Sequence, residues 1–247
     1  MAVAIGGRDP TVELPLVDLP ARPAVQGEGR PDPRPVRGLL GGQLLEPGDF
    51  VVCADEKPSI QARARKHPTA AAKPKGDGQL VEHEYARMGA LCYLAAWDVR
   101  HACIFDRCAP KDGIEPFDAL VEQFMSVDPY RKAQRVFLVL DNGSAHRGKR
   151  SIKRLQGAWK NLIVVHTPVH ASWLNQCEIY FSIAQRKVLQ PNNFADLDAV
   201  EQALLAFGRR YEQIAQPFEW KFTRQDLNRV LDRVDQAPQA LPSRHAA

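Results

Sequence analysis

The chain lacks a long hydrophobic run and carries little excess of either charge. No apolar stretch approaches the ~18 residues that a membrane-spanning helix requires, which excludes an integral helical membrane protein. The N-terminus has no basic segment leading into an apolar one, so nothing there reads as a secretion signal. Cysteines number only five, without the paired spacing of a zinc site or a disulfide framework. Cys103 and Cys108 lie close together, but no second pair follows. Reduced thiols in a cytoplasmic protein are expected. Lys and Arg outnumber Asp and Glu by 33 to 29. That excess is too small to mark a nucleic-acid partner by itself, so the distribution of charge has to decide. The remainder is ordinary for a globular protein, 45% hydrophobic and 25% charged over 247 residues. The length allows one large domain or two small ones.

Glycine and proline are unevenly spread. Residues 1–48 hold 8 of the 19 prolines and 8 of the 16 glycines, and no sustained apolar period. Such a segment buries too little apolar surface to offset the entropy of ordering it. It is expected to be a flexible Pro/Gly-rich leader. A folded domain is expected over 49–235 and a disordered tail over 236–247. Within the domain the pattern is α/β. Short apolar runs at 50–54, 91–97, 102–105, 136–140 and 162–165 read as strands, the second and third forming a hairpin. Helical spacing appears after Asp112-Gly113, over 146–160, 173–189 and from Asp196 to Ile214, with a short helix at 225–234. Residues 61–79 read as a loop. Antiparallel strands followed by strand–helix crossovers imply a mixed sheet with helices on its faces.

Three carboxylates occupy telling places. Asp55 follows the first strand, Asp141 follows the fourth, and Glu178 lies about one turn into the helix after the fifth. Sites in open α/β sheets form at the carboxyl ends of strands. If the first and fourth strands are neighbours, Asp55 and Asp141 sit side by side, and Glu178 can close over them. Three acids at one point repel unless cations bind. Oxygen ligands without thiolate suit Mg²⁺ or Mn²⁺. Two such ions ~3.5–4 Å apart serve in-line displacement at a phosphodiester. Taken singly, each acid reads equally well as a turn former, a helix cap or a solvated residue, and Asp141-Asn142-Gly143-Ser144 is a turn signal in its own right.

The segments around these acids carry a resemblance. They are Val52 to Pro58 around Asp55, Leu138 to His146 around Asp141, and His170 to Glu178, with Glu178 37 positions after Asp141. Together they resemble the catalytic domain of the IS630 and Tc1/mariner superfamily of transposases, over about residues 48–235. The resemblance implies a ribonuclease H-like mixed sheet flanked by helices. It makes Asp55, Asp141 and Glu178 the catalytic acids and the ligands of two Mg²⁺ or Mn²⁺ ions. It also implies DNA cleavage and strand transfer, with element ends and target DNA as partners, a homodimer when active, and work in the cytoplasm at the bacterial nucleoid. Full-length members carry helix-turn-helix domains ahead of the first acid, whereas the leader here reads as linker. A truncated DNA-binding remnant, or a nuclease without strand transfer, therefore stands as an alternative.

Supporting residues follow the same logic. Residues 135–160 contain seven Lys or Arg and a single acid, Asp141. Arg147, Lys149, Arg150, Lys153 and Arg154 would line the helix after Asp141, and Lys66 lies in the basic segment 61–76. Such stripes neutralise phosphates and release counterions, although a solvated helix face looks the same in sequence. Asn142 and His146 are candidates to support the site. Asn175 is a candidate to hold the turn that places Glu178. His166 and His170 lack the further ligands a zinc site needs.

Overall fold

The computed structural model describes residues 39–40, 43–66, 84–143, 148–167, 174–190 and 192–219. Its centre is a five-stranded mixed sheet. Strands β3 (Phe50–Arg65), β4 (Tyr85–Asp98) and β5 (Ile104–Ala109) form an antiparallel meander. Strands β6 (Val136–Leu140) and β7 (Leu162–His166) then add parallel to β3, giving the order β5-β4-β3-β6-β7. All five residues of β6 are buried. A continuous Val-Phe-Leu-Val-Leu run is what a strand covered on both faces requires. A small antiparallel pair, β1 (Leu39–Leu40) with β2 (Gln43–Leu44), precedes the sheet. Leu40 and Leu45 are buried in the core, so apolar anchoring begins a few residues ahead of the expected boundary at 48.

Helices cover both faces. Helix α1 (Ile114–Met125) and helix α2 (Gly148–Ala158) share one face with Val52, Ala54, Leu94, Leu138 and Leu140. Helix α3 (Cys177–Lys187) and helix α4 (Leu197–Ile214) share the other with Cys53, Tyr93, Ala95, Trp97 and Val139. The alternation along β3 explains the division, since Val52 and Ala54 point one way while Cys53 and Asp55 point the other. Helix α4 starts where Asp196 accepts a bond from the Ala199 N–H at 2.8 Å, a side-chain cap on an otherwise unpaired donor. Among the described residues no helix is long and apolar enough to cross a membrane.

Three elements differ from expectation. Strand β3 runs on to Arg65, through residues read as the start of a loop, because they pair with Tyr85–Leu91 of β4. Backbone pairing with a long partner outweighs the polar, weakly patterned side chains there. The β4–β5 turn falls at 99–103 rather than 98–101. Asp98, fully buried, accepts the N–H groups of Arg100 at 2.9 Å and His101 at 3.0 Å and so fixes the turn. Helix α3 begins at Cys177, which puts Glu178 in the first turn rather than a turn further in. The expected helix at 225–234 and the tail at 236–247 lie outside the described residues, as does most of the leader.

Candidate active site

The parallel pairing of β3 with β6 brings the first two acids together. Cys53 pairs with Val139. Asp55 lies two residues beyond Cys53, inside β3 rather than after it as expected, because β3 keeps pairing with β4 there, and Asp141 lies two beyond Val139, so the two acids sit at one level on neighbouring strands. Asp141 opens the chain's exit from β6, and its Oδ1 accepts the Gly143 N–H at 2.7 Å. The turn-forming role and a place at the site therefore belong to the same side chain. Asn142 donates from Nδ2 to the Thr167 carbonyl at 3.0 Å, which ties the exits of β6 and β7.

The third acid arrives on α3. Asn175 is fully buried and donates from Nδ2 to the carbonyl of Ala54 at 2.9 Å, the residue before Asp55. Its Oδ1 accepts the Cys177 N–H at 3.1 Å, and Cys177 Sγ donates to the Ala95 carbonyl at 3.3 Å. These bonds dock the start of α3 on the strand pair beside Asp55. Glu178 sits there, exposed, in the first turn, where the positive end of the helix dipole favours a carboxylate.

Electrostatics register the convergence. Asp55 is 5% exposed, and its carboxyl is pushed up to about 8. Burial is the main cause and the charge of Asp141 the next. The Glu56 N–H, 2.8 Å from Oδ1, works against the shift, while Glu178 and Glu56 add to it. Asp141 and Glu178 are thus both near enough to penalise a charge on Asp55. The three carboxylates nevertheless stop short of a closed cage. Among the described residues no group of three or more His, Cys, Asp or Glu side chains is drawn together tightly enough to hold an ion. Like charges spread apart, and a protonated Asp55 is a poor ligand until its proton leaves. The all-oxygen donor set and the stored repulsion fit a hard divalent cation.

The basic residues divide into two groups. Lys149, Arg150 and Lys153 are exposed on α2, with no ion-pair partner among the described residues. Arg154 is turned inward, with Nε 2.9 Å from Asp118 Oδ2, and ties α2 to α1. Lys66 pairs with Glu84 at 2.8 Å, both exposed. Arg147 and His146 lie outside the described residues, as do His170 and Trp173. Sequence reasoning gave no role to Gln176. It is 1% exposed, and neither polar atom of its amide has a partner among the described residues. Its position inside Asn175 to Glu178 was visible in the sequence, but its burial was not.

Numbered within the main sheet alone, the strand order is 3-2-1-4-5, with strands 1 and 4 parallel, the first acid inside strand 1 and the second just past strand 4. That topology is a ribonuclease H-like fold. The chain belongs to the DDE superfamily endonuclease family, whose model matches residues 50–201, a span that contains Asp55, Asp141 and Glu178. Solved structures with some likeness include the Mos1 mariner paired-end complex with Mn, at 14% identity, covering 75% of this chain and 53% of that one, with a TM-score of 0.48. The Mos1 paired-end complex with the left transposon end gives 13% identity over 76% of this chain and 48% of that one, TM-score 0.38. The Mos1 strand transfer complex gives 14% over 68% and 56%, TM-score 0.38. The chain spans about half the length of the first two. Scores this low leave function to be argued from this chain's own residues. No curated protein matches it.

Proposed function

We propose that the chain is the catalytic domain of a transposase, cutting DNA at the ends of a mobile element and joining the freed 3′ end to target DNA. The observation that carries this reading is the buried Asp55, on the strand beside the one that Asp141 follows and near enough to Asp141 and Glu178 to feel both charges, within the family-matched span. Asp55, Asp141 and Glu178 would hold two Mg²⁺ or Mn²⁺ ions. Ions in such a pair activate the attacking oxygen and stabilise the leaving one. Asp55 first gives up its proton, so ion uptake strengthens as pH approaches about 8. Lys149, Arg150 and Lys153 clasp the DNA backbone on the helix that follows Asp141. Arg147 and Lys66 would extend this surface. Asn142 and Asn175 brace the loops that carry the second and third acids. Two copies act together on two element ends, at the nucleoid of a bacterial cell.

The test is Mn²⁺-dependent nicking and joining of DNA that bears the element's ends. Joined product from the native chain and none from Asp141→Asn supports the proposal. Cut but never joined DNA would reduce it to a nuclease. Undiminished cleavage by Asp141→Asn would overturn it.

A further inference from the structure

The face of the sheet that carries Asp55 holds a second acid with no part in the reading above. Asp106 lies in the middle of β5 and is half-buried. It shares this face with Asp55 because Ala95 pairs with both residues. Tyr93, on the next strand, donates from its hydroxyl to Asp106 Oδ2 at 2.6 Å. The Tyr93 hydroxyl also meets the Tyr180 hydroxyl at 2.7 Å. With the Tyr93 proton committed to the carboxylate, Tyr180 is the donor in that second bond. The chain of bonds therefore runs from α3 through β4 to β5. Helix α4 closes it from above. Gly208 lies against the Asp106 carboxylate so closely that any Cβ there would overlap it.

This arrangement is costly. Tyr93 and Tyr180 are fully buried, and burial is the chief reason that Asp106 is held at about 6. An apolar trio would fill the same space without desolvating three polar groups. Apolar packing already surrounds these groups, since the Tyr180 ring contacts the rings of Trp97, Phe181, Phe207 and Tyr211. What hydroxyls add to packed rings is direction, because a hydrogen bond has a narrow range of length and angle. Tyr180 lies two residues beyond Glu178 on the same short helix. The bonds of Asn175 and Cys177 pin the start of that helix to β3 and β4. The Tyr180 hydroxyl pins it a second time, to β4 and β5. Two anchors fix both the slide and the roll of α3, whereas one leaves it free to turn.

We propose that Tyr180, Tyr93 and Asp106 are positioning residues that set the roll of α3 and thereby aim the Glu178 carboxylate at the ion site. This rests on the reading of Glu178 as an ion ligand. Outer partners of metal ligands affect affinity by about 10- to 100-fold. The test is Mn²⁺ binding by the full chain, followed by calorimetry, alongside its thermal unfolding. Tyr180→Phe keeps the ring and the packing. It is expected to weaken Mn²⁺ binding about 10-fold while unfolding stays cooperative. Tyr93→Phe is expected to do the same, and the double variant to be no worse than either single one, because each breaks the same series of bonds. Asp106→Asn keeps an acceptor for Tyr93 and is expected to retain native affinity within about 3-fold, as a conservative rescue. Glu178→Ala serves as the reference. If it lowers affinity while both Tyr→Phe variants leave it unchanged, the three residues serve packing alone and the proposal falls. If Glu178→Ala itself has no effect, the reading of Glu178 falls and takes this one with it.

Discussion

The two faces of the sheet are built to different rules. The face under α1 and α2 is almost entirely apolar, with Phe117, Leu120, Val121, Phe124, Leu138 and Leu140 fully buried. Its buried acid is Asp98, at the margin, where Tyr130 donates to it at 2.8 Å and the β4–β5 turn folds over it. The face under α3 and α4 mixes rings with polar atoms: Asp55, Asn175, Gln176, Cys177 and the Asp106–Tyr93–Tyr180 series. Both faces are therefore fastened by apolar area, and the second adds specific bonds to it. Burial of each large apolar side chain contributes about 1.5–3 kcal/mol without demanding an orientation. Bonds between buried polar groups contribute less net energy but fix position. A nuclease needs both, a platform that does not move and a surface on which acids are aimed.

Substitutions can separate the two rules. The largest effect on stability belongs to the apolar face. Phe124→Ala should cost about 3–5 kcal/mol in chemical denaturation, because a fully buried ring leaves a cavity. On the polar face Asp55→Asn should go the other way. It should abolish cleavage yet raise the thermal midpoint of the ion-free protein at pH 8, by about 2–4 °C for each kcal/mol of relieved strain. If it lowers the midpoint instead, the acids do not repel as described.

The pH dependence sharpens this contrast. The folded Asp55 is raised to about 8 from an ordinary 3.8, so between those values the folded state holds a proton that the unfolded chain has released. Its contribution to stability is complete below about pH 4 and is lost as pH rises towards 8. Asp106, at about 6, adds a similar loss between pH 4 and 6. Ion-free protein should therefore unfold more easily at pH 8 than at pH 5, and Mn²⁺ should reverse the trend. The gain from Asp55→Asn should vanish by pH 4, where native and variant are both neutral at that position. A midpoint that rises across this range without metal would contradict the shift. The smallest effect lies outside both faces. Replacing Lys149, Arg150 and Lys153 with Gln should leave the fold intact. It should also make DNA binding less sensitive to salt, the log–log slope falling by about one for each phosphate that is no longer neutralised.

The apolar framework was largely legible in the sequence. Val136 to Leu140 could only be a covered strand, and the stripe from Leu197 to Ile214 could only be a helix, because composition and period agree there. The neighbouring placement of Asp55 and Asp141 hung on one condition, that the first and fourth strands pair, which β3 and β6 meet. The extension of β3 to Arg65 was hidden, since its charged residues pair through the backbone and leave no periodic trace. Asp106 was hidden for another reason. Ile104 to Ala109 reads apolar, apolar, polar, polar, apolar, apolar, without the alternation that would tell which of Asp106 and Arg107 a helix covers, and only the close approach of Gly208 shows it to be Asp106. Local pattern reports which side of an element is apolar. It does not report which polar side chain a distant element will cover.

The reach of Asn175 to the Ala54 carbonyl spans 121 positions of chain. Such a bond closes one of the longer loops in the domain, an entropic cost that the surrounding packing has to offset. A modest loosening of one short helix would therefore shift Glu178 while the core beneath stays shut. Such a safety catch would let activity switch off long before the protein itself is lost.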